Sequence, residues 1–185
     1  MSPRRAAGPL MLRVYSVLMD FEQRDDAGKV VQRGALADGE LDGELVQLDG
    51  EGGVVATMSY RKGKLDGESL FYDGGTLKLR SRYREGLQDG ENILYGDGGR
   101  PLMTASYRAG KLHGTSSWFR PDGSLERTAN YVDGTQEGEA VAYDAQGRVT
   151  ERATYRGGKL DGELRRYTKS GKVRETIVYR DGKPQ

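Results

Sequence analysis

The residues that could do chemistry in this 185-residue chain are acids, tyrosines, arginines and one histidine, because the sequence contains no cysteine. A nucleophilic triad needs a base held against a serine, and His113 is the only histidine that could serve. Acids occupy its place in the other copies of a repeated motif, at Asp42, Asp66, Asp89, Glu137 and Asp161. His113 is therefore interpreted as a substitution in an exposed turn, and we predict no enzymatic activity and no catalytic residue.

The recurring acids also fail as metal ligands in this interpretation. Equivalent residues of stacked hairpins lie roughly 9 to 10 Å apart, which is twice the spacing of strands. Calcium ligands all lie within about 2.6 Å of one ion. The glycine-rich turns do not lead into helices, whose N-termini bind phosphate, and a positive φ in tight turns explains them better. We predict no metal and no cofactor.

Charge and hydropathy disfavour nucleic acid and membrane as partners. The chain has 29 basic and 28 acidic residues, a net charge of +1, so no strong field attracts an anionic polymer or lipid surface. Tyrosines among arginines can stack on bases, but their recurrence in every copy favours core packing. No apolar run approaches the roughly 20 residues of a membrane helix. The first ten residues lack the features of a secretory signal, so we expect a cytoplasmic protein, or a periplasmic one if a leader precedes it.

Glycine recurs with a period of 24 residues, and once of 23. The first glycine of the motif Gly-Lys-Leu-Asp-Gly falls at positions 39, 63, 86, 110, 134, 158 and 182, and the second at 43, 67, 90, 114, 138 and 162. The second copy lacks one residue between Tyr72 and Gly75. In every copy a further glycine, which we call the mid-repeat glycine, precedes a tyrosine by eight residues. Such a period indicates a repeat architecture.

Each repeat contains two short segments of alternating apolar and polar residues, which is the pattern of β-strands. The first segment ends in an aromatic residue in five of six copies, at Tyr72, Tyr95, Phe119, Tyr143 and Tyr167. In the second segment, we expect the even positions after the mid-repeat glycine to face one side together with the tyrosine. We predict an all-β fold: an elongated, twisted antiparallel β-hairpin array, in which about six 24-residue repeats form a single-sheet meander with essentially no helix.

These patterns divide the chain into three parts. Residues 1–10 are predicted to be a disordered N-terminal tail, and residues 11–35 an N-terminal capping hairpin whose first strand runs from Met11 to Phe21. Residues 36–185 form the repeat array. Its second-strand tyrosines should stack in one ladder and its first-strand aromatics in another. Two charged rows, the glutamates after the second glycine and the arginines after the tyrosine, should offset each other.

The copies differ at the fourth position of the first strand, which we expect to face away from the second-strand tyrosines. Phe71, Leu94 and Trp118 occupy it in three consecutive repeats, and Leu102 should join them. Such an apolar row, with the only tryptophan, is typical of an interface hot spot. Arg80 and Arg82 are predicted to add specificity. Alternatively, the N-terminal tail or a curl of the sheet covers this row.

The pattern Tyr-x-x-Gly-Lys-Leu-Asp-Gly-Glu, with a tyrosine five residues after the second glycine, resembles the MORN repeat over about residues 36–185. It is most similar to the bacterial variant branch, in which Gly-Lys-Leu-x-Gly is typical. The resemblance implies hairpins assembled into an elongated, twisted or grooved sheet, and it brings no catalytic residues. Bacterial relatives are described as antitoxin-like or immunity proteins, and eukaryotic ones as scaffolds or membrane-associated modules.

We therefore predict a non-enzymatic protein-binding module, an immunity or antitoxin protein that neutralises a bacterial toxin or effector through one sheet face. The alternative is a structural scaffold or a peripheral membrane-associated module, which would bind liposomes or self-associate. A homodimer that pairs through the terminal edge strands is also possible, although Lys183-Pro184 beside the last strand is typical of edge protection.

Overall fold

The computed structural model describes residues 18–185, and the regular structure of these residues consists entirely of β-strands. The strands are antiparallel neighbours in one open 17-stranded sheet, which confirms the predicted all-β hairpin meander. The predicted tail, residues 1–10, and the first part of the predicted capping strand, residues 11–17, lie outside the described residues.

The strands are short and follow the sequence period. The N-terminal half of the sheet comprises β1 (Leu18–Arg24), β2 (Val30–Ala37), β3 (Glu40–Leu41), β4 (Gly43–Leu48), β5 (Val54–Arg61), β6 (Lys64–Asp73), β7 (Thr76–Arg84), β8 (Leu87–Gln88) and β9 (Gly90–Tyr95). The C-terminal half comprises β10 (Pro101–Arg108), β11 (Lys111–Phe119), β12 (Leu125–Val132), β13 (Thr135–Tyr143), β14 (Val149–Arg156), β15 (Lys159–Tyr167), β16 (Val173–Arg180) and β17 (Lys183–Pro184).

Consecutive strands pair with each other along the whole sheet. Two first strands are interrupted, so that β3 and β4 both pair with β2, and β8 and β9 both pair with β7. The interruptions fall at Asp42 and Asp89, which are the acids of the repeated motif. Each repeat therefore contributes one hairpin to a continuous meander.

The first glycine of the motif closes a two-residue turn. Between β5 and β6, Lys62 and Gly63 have φ values of 49° and 72°. Positive φ at both central residues defines the turn whose twist matches that of the flanking strands. The missing residue of the second repeat makes another turn of this kind, because Gly74 and Gly75, with φ values of 54° and 75°, directly connect Asp73 and Thr76.

A β-bulge early in each second strand changes the expected facing of residues. In the second repeat, Tyr72 pairs with Leu77 and Phe71 pairs with Leu79, so Lys78 is the extra residue. Because Tyr72 and Phe71 are neighbours in a strand, they and their partners point to opposite faces. The prediction that all even positions after the mid-repeat glycine share one face is therefore wrong at the first of them, Leu77.

Small side chains form the centre of the sheet. In several repeats they lie two residues after the second glycine of the motif or six residues after the mid-repeat glycine, and the buried ones are Ser69, Ser81, Ala105, Ser116, Ala129 and Ala153. Near the N-terminal end, Leu45, Ala56 and Met58 form a buried cluster against which Phe21, Tyr60 and Phe71 pack. Larger side chains on both sides of the small ones thus exclude water from a one-layer sheet.

Candidate protein-binding face

The pairing register assigns each side chain to one of two faces. Directly paired residues of antiparallel strands carry their side chains on the same face. Ser69 pairs with Ser81, and Gly67 pairs with Tyr83, so the second-strand tyrosines share a face with the small buried residues. We call this the tyrosine face, and the opposite side the reverse face.

The predicted first-strand anchors lie on the tyrosine face. They are Phe71, Leu94 and Trp118. Phe71 pairs with Leu79, which is two residues from Ser81 in the same strand and hence on the same face. The prediction that this row faces away from the second-strand tyrosines is wrong. The reason is the bulge at Lys78, which puts the first-strand aromatic Tyr72 on the face opposite to Phe71 and Tyr83.

Two residues that the sequence analysis missed join the anchors. Leu94 pairs with Leu79 on one side and with Met103 on the other, and Met103 in turn pairs with Trp118. The resulting apolar row consists of Phe71, Leu79, Leu94, Met103 and Trp118. At ~4.8 Å per strand it is about 19 Å long. Leu79 and Met103 are each the fourth residue after a mid-repeat glycine, a position that the sequence alone could have identified.

Leu94 is the most exposed member of the apolar row. It keeps 44% of its accessible surface, whereas the other four side chains are half-buried. Phe71 is held at one end by the Leu45, Ala56 and Met58 cluster. The row therefore leaves apolar surface exposed at its centre.

Trp118, at the other end of the row, lies beside a cation and an open cavity. The Arg127 Cζ atom is 4.5 Å from the centroid of the tryptophan ring, a cation–π contact. The cavity has a volume of about 470 Å³ and is lined by Trp118, Arg120, Glu126, Arg127, Ala142 and Tyr143. This end of the apolar row can therefore receive a polar group next to an apolar one.

Leu102 differs from its predicted role as a further member of the row. It is the extra residue of the β10 bulge, since Pro101 pairs with Tyr95 and Met103 with Leu94. Its side chain lies against the turn before β10, where a Cβ atom on Gly96 would come within 3.2 Å of it. Met103 takes the place beside Leu94 that the prediction gave to Leu102.

Arg80 and Arg82 lie on the reverse face, and the structure separates them from the anchors. Arg80 pairs with Ile93, the strand neighbour of Leu94, and its Nη2 is 3.2 Å from Glu91 Oε2. Arg82 pairs with Glu68. Because one sheet separates the two sets, a single flat partner cannot contact both, and their predicted combination in one surface is wrong.

The motif acids serve as hydrogen-bond acceptors between repeats. Four of the five accept the backbone N–H of the first residue in the next two-residue turn: Lys62 N to Asp42 Oδ2, Glu85 N to Asp66 Oδ2 and Ala109 N to Asp89 Oδ2, all at 3.2 Å, and Gly157 N to Glu137 Oε2 at 2.8 Å. His113 Nδ1 accepts the corresponding bond from Asp133 N at 3.4 Å. His113 is half-buried in β11, and so it is not the exposed turn residue that we predicted.

The two charged rows do not pair with each other as predicted. Three of the arginines after the tyrosine contact motif acids instead, as in Arg61 Nη2 to Asp66 Oδ1 at 3.3 Å and Arg84 Nη2 to Asp89 Oδ1 at 3.4 Å. Three of the glutamates, Glu68, Glu91 and Glu139, contact arginines that lie five residues after a mid-repeat glycine, for example Glu139 with Arg152 at 2.7 Å. That hydrogen bond raises the pKa of the Arg152 guanidinium.

These features define a β-hairpin repeat array with an apolar row across one face. Two of its repeats, at residues 112–133 and 160–181, match the family model described as MORN repeat variant. The matches support the predicted relationship to MORN repeats, which generally serve as protein- or membrane-binding modules. No curated protein matches the sequence.

One solved structure with a similar segment is described as "Crystal structure of GtfA/B complex bound to UDP and GlcNAc". The sequences are 10% identical, the TM-score is 0.27, and the likeness covers 60% of this chain. The chain spans only 22% of that structure's chain, and so low a score carries no functional conclusion.

Residues 18–185 lack two other kinds of feature. No helix long and apolar enough to cross a membrane occurs there. Nor do three or more histidine, aspartate or glutamate side chains come together in this part of the chain as a ligand set for a metal ion.

Proposed function

We propose that this chain is a non-enzymatic protein-binding module, an immunity- or antitoxin-like protein that neutralises a bacterial toxin or effector by covering it with the tyrosine face. The observation that carries the proposal is the apolar row. Its five apolar side chains come from five neighbouring strands and lie side by side, with Leu94 exposed at the centre.

The physical support comes from the energetics of interfaces. A few aromatic and aliphatic anchors contribute most of the binding free energy of a protein complex. A row about 19 Å long fits the centre of such an interface. The similarity of two repeats to MORN repeat variants agrees with a binding role.

The test begins with co-expression of the chain with the products of adjacent genes, followed by affinity capture. We expect one toxic product to co-purify and its toxicity to be relieved by the wild-type chain. Leu94→Asp and Trp118→Ala should abolish capture and rescue, since each removes an anchor of the row. Arg82→Ala, on the reverse face, is the matched control and should retain both.

Capture at full strength by both row variants would overturn the proposal. Vesicle flotation and light scattering of the purified chain complete the test, because a scaffold or peripheral membrane module would bind liposomes or self-associate without any toxic partner.

A further inference from the structure

The apolar row ends at a guanidinium that has no carboxylate partner within residues 18–185. Arg127 pairs with Trp118 across β11 and β12 and stacks on its ring. The charged residues at the equivalent place in the following strands form ion pairs with one another. Arg166 Nε is 3.1 Å from Glu151 Oε2, and Arg166 Nη1 is 2.8 Å from Glu175 Oε2. Arg127 is thus a cation next to the row that can donate hydrogen bonds to an external carboxylate.

The cavity beside Arg127 has the charge and size to receive that carboxylate. Of its lining residues, Arg120 and Arg127 are basic and Glu126 is acidic, so the cavity carries one net positive charge. Arg120 is already occupied, since it donates to the backbone carbonyls of Leu125 and Tyr143. At about 470 Å³ the cavity is larger than a glutamate side chain needs. The guanidinium of Arg127 is therefore the group that would select a carboxylate.

The spacing of the row distinguishes between the kinds of segment that could lie along it. Its side chains repeat every ~4.8 Å, the distance between strands. The apolar stripe of an α-helix repeats about every 5.4 Å, and one side of an extended strand about every 6.7 Å. Over the four steps of the row, a helix falls out of register by about 2.4 Å and a strand by about 7.6 Å. A helix therefore matches the row far better.

From this geometry we infer that the row takes an amphipathic α-helix of the partner. The apolar stripe of the helix, about four turns long, lies along the line from Phe71 to Trp118. A glutamate or aspartate one turn beyond the last apolar residue pairs with Arg127. This inference rests on the proposed function and names the chemistry of the partner, an amphipathic helix recognised through its apolar side.

A display library of random 18-residue peptides tests the inference without the natural partner. Peptides are selected on the wild-type chain and counter-selected on Leu94→Asp. We expect the enriched peptides to carry apolar residues at intervals of three and four, with an acid one turn beyond one end. Because Trp118 is the only tryptophan, its fluorescence then gives the affinity of each synthesised peptide. Enrichment of alternating, period-two sequences, or no enrichment, would overturn the inference.

A charge exchange tests the Arg127 contact itself. Arg127→Glu should weaken binding of an acid-ended peptide at least tenfold, as expected for a lost charge-assisted hydrogen bond. Replacing the peptide's acid by lysine should restore binding to the variant and weaken binding to wild type. Arg82→Glu, on the reverse face, should leave both affinities unchanged. Equal affinities of Arg127→Glu for the two peptides would sink the proposed ion pair.

The two proposals fail in different ways. If a captured toxin is lost on Leu94→Asp while the selected peptides are not helical, the tyrosine face binds a partner but not through a helix. If helical, acid-ended peptides bind and no toxic product is ever captured, the docking chemistry stands and the immunity function falls.

Discussion

Three serine hydroxyls at the centre of the sheet are buried without a hydrogen-bond partner among residues 18–185. They are the Oγ atoms of Ser69, Ser81 and Ser116. Ser69 and Ser81 are fully buried. In later repeats Ala140 occupies the place of Ser69, and Ala105 and Ala129 occupy the place of Ser81. A buried hydroxyl that loses water without gaining a partner lowers stability. These serines are therefore not explained by the stability of the fold.

We expect Ser69→Ala and Ser81→Ala each to raise the free energy of unfolding by about 1 kcal/mol, because the unpaired hydroxyl is removed and alanine fits this place elsewhere in the array. Urea unfolding followed by circular dichroism measures the change. Ser106→Ala, on the reverse face and half-buried, is the control and should change stability by less than about 0.5 kcal/mol. A clear loss of stability in both core variants would mean that the hydroxyls have partners.

Lys78 and Asp97 form an ion pair that links two neighbouring repeats. The hydrogen bond from Lys78 and its positive charge lower the pKa of the Asp97 carboxyl. A carboxyl whose pKa is lower in the folded than in the unfolded state contributes stability above its unfolded pKa, and loses it as the pH falls through the folded value. NMR titration should place the Asp97 midpoint below the ordinary value near 3.8. In Lys78→Gln the Asp97 midpoint should return to the ordinary value. An Asp97 midpoint that is the same in the variant and the wild type would contradict the ion pair.

At the scale of the elements, the second glycine of the motif has a positive φ in every repeat, and in some repeats it also lies close to the neighbouring strand. Gly67 has a φ of 119°, and a Cβ atom there would lie 2.8 Å from Ser59 Cβ. At the equivalent Gly138, φ is 84° and nothing lies within 4 Å. A substitution by alanine at each position therefore distinguishes the free-energy cost of backbone strain from that of a steric clash.

Gly67→Ala should lower the free energy of unfolding by about 2–3 kcal/mol, whereas Gly138→Ala should cost about 1–2 kcal/mol, since only the first adds a steric clash to the unfavourable φ. Chemical denaturation of the two variants gives the comparison directly. Equal losses at both sites would show that the close approach to Ser59 has no energetic weight.

The sequence predicted the elements well, because glycines and tyrosines at a fixed period specify turns and strands. It did not predict the bulges. The bulge residue is unpaired, and so its type varies freely, as Lys78, Leu102 and Glu126 illustrate. One extra residue moves the side chains that precede it in the strand to the opposite face of the sheet. The faces of the candidate site could therefore not be assigned from alternation alone. Leu79 and Met103 were missed for that reason, and Arg80 and Arg82 were grouped with the wrong face.

At the scale of the whole molecule, the repeats share one sheet and differ in what they place along it. The line of the apolar row continues as Arg127, then Ala142, and then the ion-paired Glu151, Arg166 and Glu175. The pKa of the Arg166 guanidinium is raised by hydrogen bonds to the two glutamates. One half of the array therefore presents apolar side chains on this face, and the other half presents charged side chains that form ion pairs with one another.

The central claim is that a protein partner covers the tyrosine face at the apolar row. Because the natural chain has no cysteine, thiol labelling reports one introduced site at a time. The decisive measurement compares the labelling rates of Leu94→Cys and Arg82→Cys, free and in complex with the co-purified partner. The partner should slow labelling at position 94 at least tenfold and leave position 82 unchanged. Protection at position 82 with free labelling at position 94 would place the partner on the reverse face and contradict the claim.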